Sequence, residues 1–260
     1  MPGGPGSAIY VLEGHYKVAL GNDHYINLLP FGIPIANEYG HWTSPVTFVF
    51  LRSFFGKTED SMSKVFFPLR SFNERIARLF GIRMVVSDAL DLPGATVVYR
   101  TQADGADLGI FRVDNVNLGQ YSPTHVKRIS TAGEAIAALE NASFDPEHDV
   151  LVENQIPEGL VPASQASIIT DLGPTLSVRA ESSGRSLLVL PFEYSHCLRL
   201  ELRDGTSAQL IPVNLQQTGL LFEGRISGAI VYRFGFFDHP QCRHDDLERA
   251  NGLRLRDVLN

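Results

Sequence analysis

The segment from residue 187 to residue 237 constrains the fold of this chain more than any other. Short runs of alternating apolar and polar residues are separated there by the turn dipeptides Asp204-Gly205 and Glu223-Gly224. Strands of this kind, broken by such turns, are typical of an antiparallel β-module. About seven short strands with regularly spaced turns are predicted over residues 161–240, which indicates a jelly-roll-like β-sandwich.

The preceding part of the chain predicts helices that alternate with strands. Ser71 and Glu74 fit a capping box ahead of one helix, which Gly81 ends, and Thr131 and Glu134 begin a second helix in the same way. The predicted strands cover residues 16–20, 45–52, 82–87, 96–100, 108–113, 125–130 and 149–153. We therefore expect a small mixed α/β unit, with its helices on one face of a mixed sheet.

The predicted organisation has four parts, and the fold class is α+β. Residues 1–7, Met-Pro-Gly-Gly-Pro-Gly-Ser, look like an added linker. Residues 8–160 are assigned to the mixed α/β unit and residues 161–240 to the antiparallel β-sandwich, with a hinge over 157–162. Residues 241–260 form a charged tail with a weakly amphipathic helix, whose apolar positions are Leu247, Leu253, Leu255 and Val258.

Composition excludes some functional classes. The chain of 260 residues has a formal net charge of −7, which argues against nucleic-acid binding because phosphate backbones are bound by clustered Lys and Arg. No run of eighteen or more apolar residues occurs. The most apolar segment, 46–55, is interrupted by Arg52, and we interpret it as core.

The two cysteines, Cys197 and Cys242, leave two alternatives. In an oxidising compartment they could form one bridge that ties the tail to the sandwich. Otherwise they are unpaired thiols. Sequence does not decide between them, because the distance between the two Cα atoms does.

Several phrases carry a resemblance to a known family. Arg78 to Ser87 is a helix-to-strand phrase, and Ile110 to Asn115 is an aromatic strand that ends in an Asn. The later phrases are 188–194, Asp204-Gly205, Pro212-Val213-Asn214 and 219–224. Their order over residues 71–237 resembles the C-terminal region of the YfhO-like family of bacterial polytopic membrane proteins. At one place the chain departs from the family pattern, with Ser195-His196-Cys197 where Pro-Gly-Trp is usual.

The resemblance implies a role beside a membrane enzyme. The family is related to glycosyltransferases that use lipid-linked sugars, and its catalytic carboxylates are thought to lie in loops between membrane helices. We therefore expect an extracytoplasmic, non-catalytic domain, tethered in the native protein, that holds a glycan or lipid-linked sugar for the membrane-embedded part. No catalytic residue and no cofactor are assigned. The alternatives are a structural or partner-binding domain and, third, a secreted glycoside hydrolase.

The phrase from residue 37 to residue 42 supplies the candidate glycan-binding residues. Sugar recognition uses an aromatic face for the C–H groups of the ring and planar polar side chains for its hydroxyls. The phrase supplies both in Asn37, Glu38, Tyr39, His41 and Trp42. The alternative is that its aromatic residues pack a loop against the sheet.

Two other groups of residues give weaker indications of a functional site. The tail holds metal-capable side chains at Asp238, His239, Cys242, His244 and Asp245, but a closed zinc site usually takes two separated ligand pairs. We therefore interpret this stretch as a solvated tail and predict no metal. A hydrolase would need two facing carboxylates. The available ones are Glu193, Glu201, Asp204 and Glu223, all at strand ends where surface carboxylates are routine.

Overall fold

The computed structural model describes residues 9–12, 44–56, 71–87, 89, 91–103, 106–170, 175–203, 207–232 and 240–259. The chain divides into two compact units, Met1–Asn117 and Leu118–Asn260. The fold is α+β, a small mixed unit followed by a β-sandwich, as predicted. The division falls earlier than the predicted hinge at 157–162, so residues 118–160 belong with the sandwich.

The first unit is built on a four-stranded sheet. Its elements are β1 (Ile9–Leu12), α1 (Pro45–Phe55), α2 (Glu74–Leu79), β2 (Met84–Ser87), β3 (Ala95–Ala103) and β4 (Ala106–Val113). The strand order is β1-β2-β4-β3, with β1 parallel to β2 and the other pairs antiparallel. The predicted hairpin of β3 and β4 is confirmed. Its tip, residues 104–105, and the predicted strand at 16–20 lie outside the described residues.

Helix α1 corrects the prediction of a strand over residues 45–52. The Ser44 side chain caps the helix by accepting a hydrogen bond from the Thr47 N–H at 3.0 Å, and Pro45 stands in the first turn, where its missing N–H costs nothing. Val46, Val49 and Phe50 are buried. Their spacing of three and four residues is helical, but the β-branched and aromatic composition favoured a strand.

Helix α2 begins two residues later than the predicted capping box. Its N-cap is Asn73, whose side-chain oxygen accepts from the Ile76 N–H at 3.2 Å, whereas the Ser71 hydroxyl donates to the carbonyl of Phe54. Gly81 follows the helix at φ 72°, a left-handed conformation that favours glycine. The predicted end of the helix is therefore confirmed and its predicted start is wrong.

The second unit contains one seven-stranded sheet. Its elements are β5 (His125–Arg128), α3 (Ala132–Glu140), β6 (Asp149–Val152), β7 (Gln165–Thr170), β8 (Thr175–Glu193), β9 (Leu198–Leu202), β10 (Ala208–Val213), β11 (Gln217–Tyr232), α4 (Pro240–Gly252) and α5 (Arg256–Leu259). The order is β5-β6-β10-β11-β8-β7, and β9 pairs with β11 beside the C-terminal half of that strand. Strand β5 runs parallel to β6, with α3 as the crossover between them.

Two long strands turn this sheet into a sandwich. β8 and β11 pair along nearly their whole length, with a register shift at Glu223 and Arg225 where Gly224 takes φ 72°. Such a bulge bends the strands. On either side of the bend, buried residues from both halves form one core cluster, comprising Val178, Ala180, Leu188, Leu190, Leu198, Leu220, Phe222, Ile226 and Ile230. The two halves of the sheet therefore pack on each other.

The predicted cap of helix α3 is confirmed in the second unit, and the predicted amphipathic tail is confirmed in part. The Thr131 hydroxyl accepts from the Glu134 N–H at 3.2 Å, and the Glu134 carboxylate accepts in turn from the Ser130 N–H at 2.7 Å. Helix α3 is thus capped reciprocally, as predicted. In the tail, Leu253 and Leu255 are buried whereas Leu247 is 55% exposed, so the amphipathic pattern is only partly realised.

No helix in the described part of the chain is both long and apolar enough to cross a bilayer.

Candidate functional site

The predicted glycan-binding phrase is not placed by the structure. Asn37, Glu38, Tyr39, His41 and Trp42 lie outside the described residues. Their assignment stays a prediction. The described residues instead contain a polar cleft in the second unit, between helix α4 and the turn 194–197 that joins β8 to β9.

A disulfide between Cys197 and Cys242 fixes one side of this cleft. The two Cα atoms lie 5.0 Å apart, so the bridged alternative for the two cysteines applies. The bridge joins the turn 194–197 to the first turn of α4 and excludes Cys242 as a metal ligand. Asp238 and His239, the other early members of that predicted ligand group, lie outside the described residues.

Asp246 of helix α4 also stabilises the turn 194–197 by hydrogen bonds. Its Oδ2 accepts from the Ser195 hydroxyl at 2.6 Å, and its Oδ1 accepts from the His196 backbone N–H at 2.8 Å. The Nδ1 atom of His196 lies 2.7 Å from the same Oδ1. The serine hydroxyl therefore bonds to the aspartate and not to the histidine. The three side chains do not form the relay in which a histidine activates a serine nucleophile.

A nearly buried ion pair anchors the last turn of α4. The Arg249 Nε atom donates to both Glu153 carboxylate oxygens, at 2.9 and 3.1 Å, and the guanidinium also donates to the carbonyl of Leu215. The two side chains are only 8% and 14% exposed. The same guanidinium lies 5.4 Å from the centre of the Tyr194 ring. Helix α4 is therefore held to the sandwich by a disulfide, a shared carboxylate and a bidentate ion pair.

The cleft that these contacts frame has a volume of about 500 Å³. Its lining combines planar polar groups, an aromatic ring and a few apolar side chains. The lining residues are Ile129, Ser130, Glu153, Asn154, Tyr194, His196, Pro212, Asp245, Glu248, Arg249, Gly252 and Leu253. Of its carboxylates, Glu153 is held by Arg249, whereas Asp245 and Glu248 are more accessible, on the outer part of α4. The cleft can offer both hydrogen-bond donors and acceptors to a polar ligand.

Tyr194 is the group in the cleft whose pKa responds most clearly to its surroundings. Burial raises the pKa of its phenol above the usual value of 10.0, and the carboxylates of Asp246 and Glu153 act in the same direction. The charges of Arg249 and Arg199 oppose the shift. The phenol is therefore kept protonated, as a hydrogen-bond donor, throughout the neutral and mildly alkaline range.

This shift predicts a dependence of stability on alkaline pH. A raised folded-state pKa means that the folded protein holds the proton of Tyr194 more tightly than the unfolded chain does. The contribution is fully present below pH 10 and is lost as the pH rises through the folded pKa. Denaturant unfolding between pH 9 and 12 should therefore show a shallower fall in stability for Tyr194→Phe than for the native protein. Tyr99→Phe, at a 57% exposed tyrosine, is the control, and equal slopes for all three proteins would contradict the prediction.

The remaining metal and hydrolase candidates do not gather into a second site. Donor atoms of His244, Asp245 and Glu248 lie within 4.8 Å of one another on the outer part of α4. That spacing follows from their positions on one helix, and exposed groups of this kind are common without an ion. Among the predicted hydrolase carboxylates, Asp204 lies outside the described residues, and Glu193, Glu201 and Glu223 do not line the cleft.

Most of the residues that form the cleft are not marked by any pattern in the sequence. Glu153 and Arg249 are 96 positions apart, and Ser195 and Asp246 are 51 positions apart. No local pattern marks either pair. One local signal was present, since a serine, a histidine and a cysteine follow one another at residues 195–197.

Comparison with family models, with characterised proteins and with solved structures found no match for this chain.

Proposed function

We propose that this chain is an extracytoplasmic, non-catalytic domain that binds a glycan or lipid-linked sugar in the cleft beneath helix α4. The cleft carries the proposal. Its volume of about 500 Å³ falls within the range of roughly 300–1,000 Å³ that is typical of small-ligand sites. Such sites contain a small number of precisely placed polar groups. The alternatives remain a structural or partner-binding domain and a secreted glycoside hydrolase.

The chemistry of the lining supports a polyhydroxylated ligand. The carboxylates of Asp245 and Glu248 accept hydrogen bonds, the Asn154 amide both donates and accepts, and the Tyr194 phenol donates. Sugar hydroxyls also both donate and accept, so they can use all of these groups. An anionic ligand fits less well, because the accessible charges on the α4 side of the cleft are carboxylates.

The internal hydrogen bonds support binding over hydrolysis. Glycoside hydrolysis needs one carboxylic acid that can give up a proton and a second carboxylate that acts on the substrate. Asp246 is occupied by the Ser195 hydroxyl and by both the backbone and the ring of His196, and Glu153 is occupied by Arg249. Both of these carboxylates hold the helix in place, which is a structural task.

The disulfide supports the extracytoplasmic location. Bridges of this kind persist in oxidising compartments and are rare in reducing ones. The link to a membrane glycosyltransferase is supported by the order of the sequence phrases from residue 71 to residue 237 that resemble YfhO-like proteins. In that setting the domain presents a sugar to the membrane-embedded part, which carries out the chemistry.

Binding to a glycan panel tests the proposal. We expect saturable binding of at least one bacterial oligosaccharide, measured by calorimetry on the whole chain. Glu248→Gln should weaken it by about tenfold, the loss of one charge-assisted hydrogen bond. Glu223→Gln, which changes an exposed carboxylate that does not line the cleft, is the matched control. Absence of binding across the panel favours a structural domain, and turnover of a glycan establishes a hydrolase.

A further variant separates the cleft from the predicted phrase at residues 37–42. Trp42→Ala should leave glycan affinity unchanged if the cleft is the site. If Trp42→Ala abolishes binding without lowering the melting temperature, while Glu248→Gln has no effect, the sugar is held by the phrase at 37–42. The cleft assignment would then be wrong although the glycan function would stand.

A further inference from the structure

The outer edge of strand β5 is an exposed edge of the seven-stranded sheet. β5 is the terminal strand of the seven-stranded sheet, and no described strand pairs with its outer side. All four of its residues are exposed, including the apolar Val126 at 40%. An exposed strand edge offers a row of backbone groups that can pair with another chain.

The register shows which backbone groups face outward. The N–H groups of His125 and Ile129 donate to carbonyls of the β6 side, at 2.9 Å each. In a parallel ladder alternate residues bond to the same neighbour, so the odd-numbered positions 125, 127 and 129 face β6. The N–H and C=O groups of Val126 and Arg128 therefore point to the outer side, where an added strand would find them.

A groove runs along this edge beside helix α3. Two adjoining cavities of about 190 and 770 Å³ share Lys127, Ala138 and Asn141 in their linings. The helix contributes small side chains there, Ala137 and Ala138, so the groove has room for the side chains of an extended segment. The strand thus has both free backbone groups and space beside it.

The strand that forms this edge carries two cations. Lys127 and Arg128 make no ion pair within the described part of the chain. A carboxylate lies near each end of the groove and keeps its negative charge, and Lys127 acts electrostatically on that of Glu134. Glu134 accepts from the N–H and hydroxyl of Ser130, and Asp149 is bonded to the His125 ring and the Asp145 N–H. In a protein with a net charge of −7, two unpaired cations on a free strand edge are complementary to an acidic partner.

We propose that the outer edge of β5 is a docking site for an acidic peptide segment in extended conformation, which adds to the sheet as a further strand. Backbone pairing with Val126 and Arg128 gives the segment its register, as in other cases of β-strand addition. Lys127 and Arg128 select for acidic side chains, because opposite charges in contact favour the correct partner and like charges exclude wrong ones. This site adjoins the cleft beneath α4, with Ile129 and Ser130 in both linings, but it does not depend on the glycan proposal.

Fluorescence anisotropy with labelled hexapeptides tests this site. The probe alternates glutamate and valine, and the comparison peptide alternates lysine and valine. We expect saturable binding of the acidic peptide alone, weakened by added salt. The double variant Lys127→Glu with Arg128→Glu should lose at least about tenfold in affinity for the acidic peptide and gain affinity for the basic one. Arg179→Glu, at an exposed position of β8, is the matched control.

A backbone variant distinguishes strand addition from simple charge attraction. Val126→Pro removes an outward N–H that makes no ladder hydrogen bond, so the fold should survive, as proline is tolerated on edge strands. We expect it to abolish peptide binding while the far-ultraviolet spectrum stays native. Unchanged binding in Val126→Pro would overturn the proposal. So would absence of acidic-peptide binding at millimolar concentration, or a dimer in sedimentation that Val126→Pro dissolves, since the occupant would then be a second copy of the chain.

Discussion

Replacing Cys197 and Cys242 together by alanine is expected to lower the free energy of unfolding by about 4 kcal/mol. The bridge closes a loop with a sequence separation of 45, and the loss of loop entropy in the unfolded chain gives that magnitude. Both cysteines are buried, at 3% and 5% exposure, so alanine leaves no buried hydroxyl behind. Denaturant unfolding of both proteins under oxidising conditions measures the difference.

Reductant supplies the control for this variant. A reducing agent should destabilise the native protein by a similar amount and leave the double alanine variant unchanged. The same variant should also lose glycan affinity, because the cleft lies between the two segments that the bridge joins. Equal stability of the native protein with and without reductant would contradict the role given to the bridge.

Arg249→Ala is expected to be about as damaging, with a loss of about 3–5 kcal/mol. The substitution leaves the Glu153 carboxylate nearly buried without its partner, and uncompensated buried charges carry penalties of that size. It also removes the hydrogen bond to Leu215 and the cation over the Tyr194 ring. Thermal or denaturant unfolding measures the loss.

Two comparison variants test this explanation. Arg225→Ala breaks an ion pair with Glu181 in which the side chains are 77% and 40% exposed, and exposed pairs contribute only about 0–1 kcal/mol. The double variant Glu153→Gln with Arg249→Met should be more stable than Arg249→Ala, because it leaves no unpaired charge. If the single and double variants are equally unstable, the cost does not come from the unpaired carboxylate, and the loss of the hydrogen bond from Arg249 to the Leu215 carbonyl, which both variants share, accounts for it.

The sandwich could be predicted because its strands are local patterns. Strict alternation over 175–181 and 198–202 predicts one buried face, made of Leu176, Val178, Ala180, Leu198, Leu200 and Leu202. Val178, Ala180 and Leu198 are buried in the core, and the other three are partly buried against it. The capping pair of Thr131 and Glu134 is local in the same sense. Alternation and capping each depend on residues a few positions apart, so both can be recognised from a single sequence.

Most of what the sequence did not reveal depends on long-range packing. Strand β6 joins the large sheet through Val152 and Val213, 61 positions apart, so residues 118–160 fall in the same unit as the sandwich strands. The same holds for the cleft, whose ion pair and shared carboxylate join segments that no spacing rule relates. The misassigned α1 is different. Its first-turn proline favoured a helix, but the apolar, β-branched composition outweighed that cue.

Nuclear magnetic resonance can show whether a glycan binds in the cleft beneath α4 or elsewhere on the chain. An isotope-labelled sample of the whole chain is titrated with a panel of bacterial oligosaccharides, and the backbone amide shifts are followed residue by residue. We expect saturable changes concentrated at Asn154, Tyr194, His196 and Gly252, around the cleft beneath α4. Saturable changes confined to other surfaces, or none with any member of the panel, would contradict it.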